Sequence, residues 1–356
     1  MSENNGLLAG MRVLDAGIWR PVPHATQMLA DLGAEVLKIE PPGGDPMRTF
    51  PTIFADIASH KRSVVLDLKT EAGRARALEL ATEADVFTEG FRPGVAARLG
   101  LSYEAIRARN PSIIYCSISG YGQTGPLVDR TGHDLNYQAL AGVLGGDRNE
   151  APAIPRLPVA DLAAGAYAAF TVAAAWAKRL QTGDGERIDV AMTDVVAAWR
   201  GPRASLALKD RAAGSRGSTG YGVFRCADGG YLTFAVIAED HFWTAVCDAL
   251  GLDALRTLRH YERLDRYEEC QAAVAGACAS LPRDDAVERL AARGAPVAPV
   301  LTPEEMAAHE QFRSRGVVVP DAEGEPRLGF PVRLECHPAR PPGPSPAVGA
   351  DPDGFS

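Results

Sequence analysis

The sequence predicts an α/β protein: a large domain built on a parallel sheet, followed by a smaller α+β domain. Two patterns carry this. Apolar, β-branched runs alternate with helix-period segments through the first half of the chain, and a Gly-, Ser- and Arg-rich stretch then gives way to a hairpin and further helices. A chain of 356 residues with 46% hydrophobic and 23% charged content has enough apolar material for two cores.

The elements follow in order. Arg12–Asp15, His24–Leu32 and Glu35–Glu40 read as strand, helix and strand. Strand Ser63–Leu68, helix Glu71–Ala84, strand Val86–Glu89, a helix after Ser102 and strand Ser112–Ser117 continue the alternation. Such alternation implies a parallel sheet covered on both faces. After Gly183-Asp184-Gly185, Arg187–Val190 is one more strand and a helix runs through Val195–Trp199. The large domain is expected over 1–205, a linker over 206–222 and the small domain over 223–315. In the small domain Gly222–Cys226 and Tyr231–Val236 form a hairpin around Asp228-Gly229-Gly230, with helices near Phe242–Leu250 and Arg283–Ala292. Thr302-Pro303-Glu304-Glu305 is a capping-box helix start, and the helix should reach about Gln311. Residues 316–356 are expected to return and pack as a tail on the large domain.

Composition narrows the function. A net charge of −8 argues against a nucleic-acid partner, which needs a concentrated basic surface. No run approaches the roughly 20 apolar residues that span a bilayer. The start Met1-Ser2-Glu3-Asn4-Asn5 lacks a secretory pattern, so a cytoplasmic protein without membrane contact is expected. The six cysteines are scattered without metal-binding spacing; no metal site is expected.

The turn Gly17-Ile18-Trp19-Arg20-Pro21 lacks the glycines of a dinucleotide fingerprint, although Glu40 stands where an acid would bind a ribose. Glu89-Gly90-Phe91-Arg92-Pro93-Gly94 and Tyr121–Pro126 follow strands, where ligands bind in open α/β sheets. Arg62, Arg92 and Arg98 are either solvated charges or, beside these glycines, partners of a phosphorylated ligand. His133, in Gly132-His133-Asp134, stands at a helix start. Asp161 heads a small-residue run, and Glu239 ends a strand. Each acid has capping as its plain structural role; together with the imidazole they also suit acid-base or carboxylate chemistry. No Gly-x-Ser-x-Gly elbow, P-loop or His-Glu-x-x-His is present.

At these residues the chain resembles the family III CoA-transferase superfamily and, within it, the α-methylacyl-CoA racemases. The likeness runs from Leu8–Leu14 through Lys61–Lys69, Glu89–Gly94, Gly122–Pro126 and Gly183–Met192 to Pro296–Leu301. The resemblance implies a Rossmann-like large domain and an interlocked homodimer acting on acyl-CoA, with CoA as part of the substrate and no separate cofactor. It places CoA-binding residues at Val64, Val65, Leu66, Asp67, Leu68, Gly90, Phe91, Arg92, Arg98, Thr131, Gly132 and Asp134. Pro41-Pro42 stands where relatives often carry Arg, which leaves Arg48 or Lys38 to hold nucleotide phosphates. Gly214–Gly222 differs from the Leu-Asp-Gly-Gly-Ala-Pro stretch of racemases, and Ala163-Ala164-Gly165 replaces a richer glycine run.

Two reactions follow from the resemblance. In the racemase branch, His133 and Asp161 move a proton across the α-carbon of a 2-methylacyl-CoA, Glu239 orients the imidazole, and backbone N–H groups near Asp161 receive the enolate oxygen. In the transferase branch, Asp161 carries the acyl group and CoA passes between carboxylic acids. His133 favours the first, which is the expectation taken forward.

Overall fold

The structure, a computed structural model, describes residues 6–144, 152–201, 219–321 and 324–356. Residues 206–218 of the expected linker lie outside them, as does 214–218 of the segment compared with racemases. The chain divides into two compact units, Met1–Pro202 with Glu310–Ser356, and Arg203–His309.

In the first unit β1 (Arg12–Ala16), β2 (Glu35–Glu40), β3 (Arg62–Val65), β4 (Val86–Glu89), β5 (Ile114–Ser119) and β6 (Glu186–Ala191) form one parallel sheet. Its order is β3-β2-β1-β4-β5-β6, so the direction of winding reverses between β1 and β4. The carboxyl ends of those two strands therefore border the crevice where such sheets take ligands. Successive strand residues point to opposite faces. Val13, Val36, Val86 and Ile114 enter one apolar core; Leu14, Leu37, Phe87 and Tyr115 enter the other.

The helices of this unit are α1 (Pro21–Asp31), α2 (Pro51–Ile57), α3 (Glu71–Glu83), α4 (Val95–Arg98), α5 (Tyr103–Arg107), α6 (Asp134–Leu140), α7 (Val159–Thr182) and α8 (Met192–Arg200). Thr70 and Ser102 cap α3 and α5 by accepting from Gly73 N and Ala105 N. β3 stops at Val65 rather than Leu68, because the chain turns at Asp67, whose Oδ1 accepts from Lys69 N. One expectation is corrected: α7, 24 residues long, is apolar and long enough to cross a membrane by length and composition. Asp161 and Lys178-Arg179 bound an uncharged stretch, 162–177, that is itself shorter than a bilayer span. The helix packs on α1, β5 and β6, with Ala163, Ala164 and Ala168 buried, as a core helix does.

In the second unit β7 (Tyr221–Arg225), β8 (Tyr231–Ala235) and β9 (Val297–Pro299) make an antiparallel sheet in that order. It carries α9 (Asp240–Leu250), α10 (His260–Asp265), α11 (Tyr267–Ala279), α12 (Arg283–Ala291) and α13 (Pro303–Ala308). Trp243, Val246, Val274 and Leu290 share its core, and Trp243 Nε1 donates to the Leu255 carbonyl at 2.7 Å. The Thr302–Glu305 capping box is present, but α13 ends at His309, whose backbone is extended (ψ 130°), short of Gln311.

The chain then re-enters the first unit through α14 (Glu310–Ser314) and the antiparallel pair β10 (Val318–Pro320) and β11 (Pro326–Leu328). Its tail is tied down along its length. Arg340 N donates to the Asp31 carbonyl, Asp351 accepts from Ser63 N and Arg62 Nε, and Ser356 N donates to Glu35. Phe355 packs against the core on the β2–β3 side.

Candidate active site

The loop after β1 is built from its buried acid. Asp15 accepts from Gly17 N at 2.9 Å, Thr26 Oγ1 at 2.6 Å and Lys61 Nζ at 3.1 Å. Lys61 Nζ also reaches Thr26 Oγ1 and the Pro23 carbonyl, so strand and helix are tied by one wholly buried network. Burial acts to raise the Asp15 carboxyl, but the Lys61 and Lys38 ammonium groups and its hydrogen bonds outweigh it and lower the pKa. Burial lowers Lys61 to about 8 against the pull of Asp15. A Cβ on Gly17 would sit 2.3 Å from Val22 Cβ, so the turn admits only glycine. Trp19 follows in the left-handed region at φ 63°, a conformation bulky residues rarely adopt, and Arg20 is the N-cap of α1.

Beyond β4, Glu89 accepts from Phe91 N at 2.7 Å. Burial raises its pKa to about 6, opposed by the Ser117 and Phe91 donors and assisted by Asp189. Gly90 lets the loop pass Val22, whose Cγ2 would lie 3.1 Å from an added Cβ. Arg92 and Arg98 are exposed. Beyond β5, the Tyr137 ring occupies the space beside Gly120 and Gly132 and donates to the Gly132 carbonyl, fixing α6 over that loop. The Tyr121–Pro126 loop lines a depression of about 380 Å³ with Leu140, Thr193 and Asp194; neither His133 nor Asp161 lines it.

The start of α7 holds the central acid. Asp134 Oδ1 accepts from Ala160 N at 2.7 Å and Asp161 N at 3.1 Å, while its Oδ2 accepts from Gln138 Nε2. A carboxylate thus caps α7 from another helix, where the positive end of the dipole favours it. Asp161 is half-buried in the first turn, and no donor among the described residues reaches its carboxylate. Burial raises its pKa to about 7; Asp134 adds to this and Arg20 opposes it. An acid poised there suits a base or nucleophile working near neutrality.

Several expectations change. The N–H groups of Ala160 and Asp161, expected to receive an enolate oxygen, are taken by Asp134. Lys38 is buried and paired with Asp45 at 2.7 Å, and Arg48 grips Glu40 with two hydrogen bonds, so neither cation is free for phosphates. Glu40 is itself fully buried and unavailable to a ribose. Arg62 binds Glu35 and Asp351. The side chain of Val64 belongs to the core; Val65 is exposed. Leu66, Leu68 and Phe91 are partly buried against that core, and Asp67 shapes its own turn. Thr131 and His133 are exposed, and His133 N donates to Asn136 Oδ1 as the N-cap of α6. His133, Asp134 and Asp161 share the first unit through α6 packed on α7; Glu239 belongs to the second unit. There Glu239 accepts from Ile237 N and Ala238 N, and its own backbone N–H, followed by these two donors, lowers its pKa. Among the described residues no group of three or more His, Cys, Asp or Glu is placed to hold a metal.

Sequence reasoning missed Arg20 and the capping role of Asp134. Arg20 was visible only as part of a turn that failed the dinucleotide pattern. Asp134 contacts backbone 26 residues away, which no local pattern reports.

Known proteins bear on this geometry. The chain is 32% identical to the succinate–glutarate CoA-transferase of Agrobacterium fabrum, over 96% of this chain and 93% of that protein. It is 32% identical to the α-methylacyl-CoA racemase of Homo sapiens, over 89% and 83%. The crystal structure of a CAIB/BAIF family protein from Brucella suis superposes with a TM-score of 0.86 at 30% identity, covering 98% of both chains. The sequence profile of CoA-transferase family III matches residues 8–352, and this chain belongs to that family.

Proposed function

We propose that the protein is a CoA-transferase that moves CoA from an acyl-CoA thioester to a carboxylic acid through Asp161. The observation that carries this is the state of that side chain: half-buried, without a hydrogen-bond donor among the described residues, in the first turn of α7. The likeness to a CoA-transferase over 96% of the chain supports placing transfer ahead of the racemisation that His133 suggests.

The Asp161 carboxylate attacks the thioester carbonyl, the C–S bond breaks, and CoA leaves as thiolate, giving a mixed anhydride. The thiolate attacks the Asp161 carbonyl and releases the first acid as carboxylate, which leaves an aspartyl-CoA thioester. A second carboxylate attacks that thioester, and the thiolate then attacks the acyl carbonyl of the new anhydride. New acyl-CoA and free Asp161 result. Gly90, Arg92, Arg98, Val65, Thr131 and Gly132 remain open to contact CoA.

Mass spectrometry after acyl-CoA addition, with hydroxylamine trapping, should find the label on Asp161, and Asp161→Asn should abolish both adduct and transfer. Turnover without any adduct sinks the proposal.

A second reading rests on the exposed imidazole of His133 at the head of α6. It predicts α-deuterium in a 2-methylacyl-CoA incubated in deuterated water, lost in His133→Ala, with no movement of CoA between acids.

A further inference from the structure

The loop leaving β1 at the reversal of strand order carries a cation that the fold does not use. Arg12, Arg48, Arg62 and Arg179 of the same unit each pair with a carboxylate. Arg20 is half-buried, yet its guanidinium makes no hydrogen bond or ion pair among the described residues. Its position is nonetheless fixed. Gly17 N is held by Asp15, Trp19 takes its left-handed turn, and the Arg20 carbonyl accepts from His24 N at 2.8 Å.

That turn of α1 presses on α7 just beyond the reactive acid. A Cβ on Gly165 would lie 3.0 Å from the Pro21 carbonyl oxygen and 2.8 Å from His24 Cδ2. Gly165 is one helical turn after Asp161, on the same face. The residue preceding Pro21 thus stands next to the first turn of α7, and its charge is felt there: Arg20 opposes the rise of the Asp161 pKa.

We propose that Arg20 binds the carboxylate of the acid that exchanges with CoA, so that the co-substrate class is set by a guanidinium–carboxylate contact beside Asp161. The inference rests on the CoA-transferase reading. In that reading a free carboxylate leaves and another enters next to Asp161, with Asp134 close by. Asp161 is then held as its CoA thioester, so the carboxylates that meet are those of the acid and of Asp134; they repel one another in half-buried surroundings, and an unpaired guanidinium offers the neutralising, two-pronged partner.

The experiment compares wild type, Arg20→Lys and Arg20→Gln with acetyl-CoA or succinyl-CoA as donor and straight-chain C2–C6 mono- and dicarboxylic acids as acceptors. Arg20→Gln should raise KM for the acid at least tenfold and leave KM for the acyl-CoA within twofold. Arg20→Lys should recover part of the loss. Arg20→Gln should also move the acidic limb of the pH profile upward, because a charge that lowers the Asp161 pKa is gone. A change confined to KM for acyl-CoA assigns Arg20 to a CoA phosphate and overturns the proposal, as does no change in either constant. Calorimetric titration of the wild type and Arg20→Gln with succinate in the presence of CoA separates the two readings. Loss of succinate binding in Arg20→Gln supports the contact even where no transfer is seen, and equal binding overturns it. Absence of transfer across the whole panel in the wild type counts against the CoA-transferase reading alone.

Discussion

Asp161 and Asp134 divide one task between two like charges. Asp134 satisfies the backbone at the head of α7, and in doing so it places a negative charge beside the acid proposed to do the chemistry. Burial is the larger cause of the raised Asp161 pKa and Asp134 the second. If the ionised form of Asp161 reacts, kcat/KM rises with pH through a midpoint near 7. Asp134→Asn keeps an oxygen for Ala160 N and Asp161 N but removes the charge, so the midpoint should fall below 7 and stay above that of a solvated aspartate. A pH–rate profile identical to wild type would refute the coupling. Asp161 was legible in the sequence as an acid heading a run of small residues. The work of Asp134 was not, since the residue serves a helix that begins 25 positions later and looks from its neighbours like an ordinary first-turn acid.

The βαβ elements were the most legible part, because their strands are buried on both faces and read as continuous apolar runs. Glu35–Glu40 and Val86–Glu89 agree to the residue. α1 was legible as a helix, but not what fastens it. Lys61, which opens the Lys61–Lys69 stretch, turns inward and joins Asp15 and Thr26 in the network that docks α1 on β1. Sequence pattern marks lysines as surface residues, and only the buried acid opposite explains this one. Lys61→Met should leave Asp15 buried and unpaired, at a cost of about 3–5 kcal/mol in urea unfolding. A loss below about 1 kcal/mol would mean that Lys38, which also acts on Asp15, takes over its neutralisation.

At the scale of the whole chain, strand order β3-β2-β1-β4-β5-β6 explains why loops far apart in sequence meet at one sheet edge, which alternation of strands and helices foretold only as a class. The second unit and the return of the chain to the first depended on breaks such as the one at His309, where a helix stops for conformational rather than compositional reasons. The surface of the first unit poses the remaining question. Phe170 is 70% exposed and Trp199 56%, on the adjoining helices α7 and α8, and the half-exposed Tyr167 ring, one turn before Phe170, lies 6.4 Å from that of Trp199. Apolar side chains of this size gathered on adjoining helices suit contact with another protein surface. The resemblance to family III proteins implies that the partner is a second copy of the chain. Light scattering on the purified protein at micromolar concentration should then give twice the 37.7 kDa chain mass. Phe170→Glu with Trp199→Glu should lower that mass or the thermal midpoint, because each places a charge in an apolar contact. A wild type that stays at the single-chain mass, with the double variant equally stable, would show that this face is bare in solution and that the dimer expectation does not hold for this member of the family.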